Sequence, residues 1–202
     1  MFPLTMHFVD GFLAVYFSSV ALFYTARVLL LRRRNPSVQL INHGQAFQRQ
    51  WFSHSAFRVF RVLIWGVCVA RLWLPVIDDW IVLFPMALSW RLLGVLLLCI
   101  GFGIALLGHR TLGEQWRSGV DANQRTRLVT HGLYAYSRNP MFIGVRVALL
   151  GFALALPSLL GVMSLVVGWL MLALQTKVEE QHLAKLHGGI YQRYTSTVGR
   201  WI

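Results

Sequence analysis

Acidic residues are scarce in this chain: seven Asp and Glu stand against 19 Lys and Arg in 202 residues, a formal net charge of +12. Charge of either sign is thin as well, at 13% of residues beside 56% hydrophobic ones. That balance excludes an ordinary soluble domain and points to a polytopic membrane protein folded as one compact bundle. Only two cysteines occur. Cys68 and Cys99 are both embedded in apolar sequence, so they read as small buried side chains and not as a disulfide or a metal pair. The opening residues, MFPLTMHFVD, carry no positive stretch ahead of the first apolar run. That run therefore reads as a retained helix and not a cleaved leader.

The apolar runs set the architecture: all-α, with five membrane helices. Residues 8–31 supply more than the roughly 20 residues a span requires. Arg32, Arg33 and Arg34 follow and Asn35-Pro36 ends the helix, which puts this end in the cytoplasm and the N-terminus outside. Residues 35–55, with Gln39, Asn42, His43, Gln45, Gln48 and Arg49, read as a cytoplasmic connection with interfacial helix anchored by Trp51 and Phe52. A second span is expected over 57–77, running outward from Arg58 and Arg61 to Asp78 and Asp79. A third is expected over 80–107, with Pro85 tolerated as a bend near its start. Arg71 and Arg91 are read as helix-end cations that snorkel or pair with Asp78 or Asp79. Gly101 and Gly103 are read as small residues for close helix packing. Residues 141–175 are too long for one span, and Pro157-Ser158 divides them into a tight hairpin that returns inside at Lys177.

This map, N-out and C-in, explains the charge. The loop from 109 to 139 gathers Arg110, Arg117, Arg125, Arg127 and Arg138 on the cytoplasmic side, while the outer connections hold Asp78 and Asp79. Nucleic-acid binding is then not needed to account for +12, since no binding module accompanies these arginines.

Three cytoplasmic pieces carry the chemistry: HRTLGEQW at 109–116, RLVTHGLYAYSRNPMFIG at 127–144 and VEEQHLAKLHGGIYQRYTSTVGRWI at 178–202. Together, over residues 90–202, they resemble the superfamily of isoprenylcysteine carboxyl methyltransferases and phospholipid methyltransferases. Leu112, Gly113 and Trp116 match its Leu-Gly-x-x-Trp element. Gly132, Tyr134, Arg138, Pro140 and Gly144 match its central motif, and Glu179, Glu180, Leu183, Tyr191, Tyr194, Val198, Arg200 and Trp201 match its tail. The joint order is far more specific than any single piece. Two positions depart: Asn139 stands where the best-known members have His, and Phe142 where they have Tyr. Asn139 can donate and accept hydrogen bonds but carries no charge, so a role requiring an imidazolium is excluded there.

The resemblance implies S-adenosylmethionine as cofactor and a lipophilic or small membrane-partitioning acceptor, with carboxylate or thiol chemistry foremost, and membrane lipids as partners. Methyl transfer from a sulfonium is an in-line displacement that asks for alignment and exclusion of water. On this reading Leu128, Val129, His131, Gly132, Tyr134, Arg138, Asn139, Pro140, Glu179, Glu180 and Tyr191 form the cofactor set, and Arg138, Arg146 and Glu180 the catalytic set. Arg138, just ahead of the helix opened by Pro140, is the first choice for a carboxylate. Glu179 and Glu180 point about 100° apart on a helix, so one faces a site while the other holds an Arg or is solvated. Arg146, about one turn into its helix, either snorkels or meets an anionic acceptor. Tyr134, Tyr191, Tyr194 and Trp201 are pocket walls or an interfacial aromatic belt. His109 and His131, and His182 and His187, lack metal-ligand spacing, and no metal is expected.

The domain expectation is a single membrane domain, with N-terminal helices over 1–80 and a methyltransferase core over 81–202, in a bacterial inner membrane. Two other classes stay open: an NADPH-dependent membrane reductase of related fold, with no evident cluster for a 2′-phosphate, and a non-catalytic membrane subunit.

Overall fold

The computed structural model describes residues 4–34, 41–42, 49–117 and 127–202. Asn35-Pro36, most of the expected interfacial connection, and Arg125 lie outside the described residues. Within them the chain is helical: α1 (Leu4–Arg34), α2 (Arg49–Ala70), the short α3 (Ile77–Ile81), α4 (Leu88–Leu112), α5 (Pro140–Ala155), α6 (Leu159–His187) and α7 (Gly189–Thr197). Three helices are long and apolar enough to cross a membrane, over Phe8–Arg34, Leu88–Gln115 and Leu159–His187. The apolar α5 is shorter, at 16 residues.

The helix ends follow local chemistry. Pro140 occupies the first turn of α5, where its fixed φ and missing N–H are harmless. The break at Pro157-Ser158 appears as expected, and Ser158 caps α6 by accepting a hydrogen bond from the Gly161 N–H at 3.0 Å. Two expected boundaries move. The second helix ends at Ala70 and not at 77, because Pro75 disfavours helix in the residue before it and a turn intervenes before α3. The third begins at Leu88 and not at 80. Pro85 thus lies outside the helix, in an extended stretch whose Leu83 N–H donates to Pro157 O at 2.9 Å.

Packing is tightest between α4 and α5, where glycines meet in pairs. A Cβ on Gly94 would stand 2.6 Å from Gly151 O, and one on Gly101 would stand 2.5 Å from Gly144 O. The two backbones therefore touch, as small residues in membrane helices allow. Gly103 takes no part, since nothing lies within 4 Å of its added Cβ. Val9, Leu13, Ile64, Cys68, Leu98, Phe152, Ala155 and Leu156 form the buried core at the end of the bundle near α3. Cys68 is buried as expected, but Cys99 faces outward on α4.

That end is locked by ions. Arg71 pairs with Asp10 at 2.9 Å and also with Asp78, and Arg91 pairs with Asp10 at 2.8 Å while donating to Ala155 O at 3.0 Å. Arg91 therefore pairs with Asp10 of α1, not with Asp78 or Asp79: both neighbouring cations converge on the one carboxylate the first helix brings in.

Candidate active site

The opposite end of the bundle is built on the close approach of α4 and α5. The C-terminus of α4 is closed by Arg27 from α1, whose Nη2 donates to His109 O at 3.0 Å and Gly113 O at 2.8 Å. A cation thus satisfies the free carbonyls of a helix C-terminus. Trp116 is buried beside it, with the Arg27 guanidinium 5.8 Å from its ring centre and Leu31 in the same cluster. The Leu112-Gly113-Trp116 element thereby docks α4 on α1.

From there the chain reaches a 3-10 turn, Gly132–Ala135, entered at Gly132 with φ +59°, a conformation glycine adopts without strain. Arg138 and Asn139 follow, immediately ahead of α5. Asn139 makes no side-chain cap bond to α5; it donates through Nδ2 to Arg200 O at 3.1 Å. Ser137 Oγ accepts from Asn139 N–H at 3.1 Å and donates to Arg200 O at 3.3 Å, while Arg138 N–H donates to Gly199 O at 3.1 Å. Residues 137–139 are thus laced to 199–200, far along the chain.

Side chains from α6 complete the arrangement. Glu180 lies between two guanidinium groups, 3.3 Å from Arg138 Nη1 and 2.7 Å from Arg200 Nη2. Glu179 turns elsewhere and accepts from Gln175 Nε2 at 3.0 Å, one helical turn earlier. The Tyr194 hydroxyl donates to Tyr134 O at 2.7 Å. Burial pushes the Tyr194 phenol up to about 12, and raises Tyr134 through burial first and then the nearby Glu179. Both remain neutral hydroxyls at working pH. Tyr191 lies beside the Arg138 guanidinium, but its hydroxyl is buried without a hydrogen-bond partner, as are Arg138 Nε and Gln175 Oε1.

These groups border a cavity of about 910 Å³ that continues between the helices to Phe142, Met171, Ser164, Leu98 and Phe152. Its size lies in the range of small-molecule sites, and its make-up fits one: a polar end and an apolar body. Of the sequence-derived candidates, Leu128, Val129, Tyr134, Arg138 and Asn139 line it, as do Glu179, Glu180 and Tyr191. His131, Gly132, Pro140 and Arg146 do not. His131 is exposed, Gly132 and Pro140 shape the backbone, and Arg146 lines a separate small cleft with Trp169 and Trp201. No group of three His, Cys, Asp or Glu side chains that could hold a metal comes together among the described residues.

Residues 90–189, from α4 to the start of α7, match the phospholipid methyltransferase family. The chain belongs to this family of membrane methyltransferases. It is part of the superfamily that also holds the isoprenylcysteine carboxyl methyltransferases. The outward apolar faces, with Val15, Leu22 and Val166 more than 60% exposed, are those of a membrane protein. No curated protein matches the chain.

In this phospholipid methyltransferase family member, the matched region contains Arg138, Glu179 and Glu180 but stops before Tyr191, Arg200 and Trp201. Tyr191 and Arg200 join the site in space, Tyr191 at the cavity and Arg200 on Glu180, while Trp201 lies in the separate cleft with Arg146. Sequence reasoning missed Gln175, although its i, i+4 spacing to Glu179 was a usable signal. Ser137 gave none. His109, buried and bonded through Nε2 to Tyr24 Oη at 3.1 Å, also lines the cavity.

Proposed function

We propose that the protein transfers methyl groups from S-adenosylmethionine to a lipophilic or small membrane-partitioning acceptor, of carboxylate or thiol type, at the cytoplasmic membrane face. One observation carries this reading: a single cavity joins a cluster of oriented cationic and anionic side chains to an apolar interior between membrane helices. A zwitterionic cofactor and a greasy acceptor need those two environments side by side.

The residues fit the cofactor's chemistry. The buried, unpartnered Arg138 Nε and Tyr191 hydroxyl are donors, and Gln175 Oε1 is an acceptor left free. Arg138, supported by the α5 N-terminus, suits the α-carboxylate. Glu179, with one oxygen engaged by Gln175, is the carboxylate left for an amino group or ribose hydroxyl. Glu180 is already shared by Arg138 and Arg200, so its role is to aim Arg138. Tyr134 and Tyr191 supply walls that keep water out. When bound, the cofactor supplies an electrophilic methyl on a sulfonium. The chain's task is to hold the acceptor in line with it and dry, and a carboxylate or thiolate acceptor then needs no general base.

The topology that serves this has five spans, N-out and C-in, with α2 and α5 completing the bundle begun by α1, α4 and α6. Supporting it, Arg32, Arg33, Arg34, Arg110, Arg117, Arg127 and Lys177 gather at the cavity end, while the other end holds Asp78 and Asp79 and only arginines already paired. Residues 81–202 then form the methyltransferase core, and a bacterial inner membrane is the proposed setting.

Isothermal titration of the detergent-purified protein with S-adenosylhomocysteine tests the reading. Saturable binding that Arg138→Ala and Glu179→Gln both weaken is expected. No binding, together with thermal stabilisation by NADPH, would overturn it in favour of a reductase. Labelled methyl donor added to membrane extract then identifies the acceptor.

A further inference from the structure

Arg146 stands apart from the cavity, in a cleft lined by Ile143, Val147, Leu150, Trp169, Trp201 and Ile202. Its guanidinium carbon lies 3.7 Å from the centre of the Trp201 ring and 5.6 Å from that of Trp169. No ion pair to it exists among the described residues, and its Nε is buried without a hydrogen-bond partner. A cation this poorly neutralised on an apolar helix is held chiefly by the ring faces on either side of it.

Trp201 is one residue from the segment that holds the polar end of the cavity. Gly199 O receives the Arg138 N–H, Arg200 O receives Asn139 Nδ2 and Ser137 Oγ, and the Arg200 guanidinium forks onto Glu180 at 3.0 and 2.7 Å. Residues 198–202 form no helix after α7 ends at Thr197. They make a strap with one end against α5 at Arg146 and the other against the loop that presents Arg138. Both charged partners inside the cavity, Arg138 and Glu180, are bonded to it.

We propose that Arg146 and Trp201 are positioning residues: their stacking seats the strap, and the strap fixes Arg138 and Glu180 in the orientation the cofactor requires. This rests on the cofactor reading given above. Arg146 then touches neither cofactor nor acceptor, and acts through Trp201 alone. The requirement at 146 is for a flat cation that can stack, which lysine does not provide. At 201 it is for an aromatic face, which phenylalanine does.

The test combines titration with S-adenosylhomocysteine and hydrogen–deuterium exchange of the 137–139 amides in the ligand-free protein, using Trp201→Ala, Trp201→Phe, Arg146→Gln and Arg146→Lys. Trp201→Ala and Arg146→Gln are expected to weaken binding at least tenfold and to accelerate exchange at Arg138. Trp201→Phe should restore most of both, and Arg146→Lys little of either. Rescue by phenylalanine also separates positioning from a failure to fold. The inference is overturned if Trp201→Ala leaves exchange and affinity at wild-type values, or if Arg146→Gln weakens binding without altering exchange, which would make Arg146 a direct ligand. If the wild-type protein binds no S-adenosylhomocysteine, the cofactor reading falls, and the inference falls with it only if exchange at Arg138 is unchanged too.

Discussion

Arg138 and its two acidic neighbours illustrate how far a residue's type predicts its work. Position two residues ahead of Pro140 marked Arg138 as a cation at a helix start, and there it lies, beside Glu180 and lining the cavity. Replacing it with alanine removes one charge-assisted interaction, about 1.5–3 kcal/mol. The expected effect is a Kd for S-adenosylhomocysteine raised roughly 10- to 100-fold, read by titration. Glu179 and Glu180 were legible as a divergent pair, since adjacent helical residues cannot share a direction, but which one meets the arginines depends on where the distant Arg200 falls. The structure assigns the arginines to Glu180 and Gln175 to Glu179. Glu180→Gln should therefore loosen Arg138 and Arg200 together and accelerate exchange at the Arg138 amide, whereas Glu179→Gln should lower affinity and leave that exchange unchanged. Asn139 likewise followed its chemistry: an uncharged amide, it donates to the strap at Arg200 O.

At the scale of the helix, apolar length and punctuation located the elements, and contacts between them were harder to see. Pro157-Ser158 splits α5 from α6 because proline and a capping serine act locally. Pro75 and Pro85 act locally too, yet both sat within long apolar stretches that read as continuous spans, so the ends of α2 and α4 were displaced. Glycines behave differently. Gly101 and Gly103 are alike in sequence, but only Gly101 faces another backbone, and helical phase relative to a partner is not written in either residue. Gly101→Leu is expected to destabilise the protein by about 1–3 kcal/mol or more through overpacking, whereas Gly103→Ala, whose Cβ meets nothing, should hold or slightly raise the midpoint. Thermal unfolding in detergent measures both.

For the molecule as a whole, the two ends divide the labour. The end near α3 joins Asp10 of α1, Arg71 of the turn after α2, Asp78 of α3 and Arg91 of α4 into one network around two buried guanidinium groups. Sequence identified the two arginines as cations in need of partners and overlooked Asp10, which reaches them only when α1 packs against α2 and α4. Asp10→Ala would leave the buried Arg91 without its carboxylate and Arg71 with Asp78 alone, at a cost of about 3–5 kcal/mol. Its unfolding midpoint should fall well below that of wild type, while affinity for S-adenosylhomocysteine in the surviving folded fraction stays close to it, because the proposed cofactor site lies at the far side of the bundle.

The brevity of α5 has a consequence for the surrounding lipid. Sixteen residues rise about 24 Å, against roughly 30 Å of hydrocarbon. In the proposed topology, where α5 is a span, thinning of the bilayer beside it is the expected way to meet its polar start at Arg138 and Asn139. On that proposal, phospholipid headgroups next to this one helix would sink toward the site, and a lipophilic acceptor would present its polar group without leaving the leaflet. Turnover in vesicles should accordingly rise as the acyl chains are shortened, a dependence on membrane thickness set by the length of a single helix.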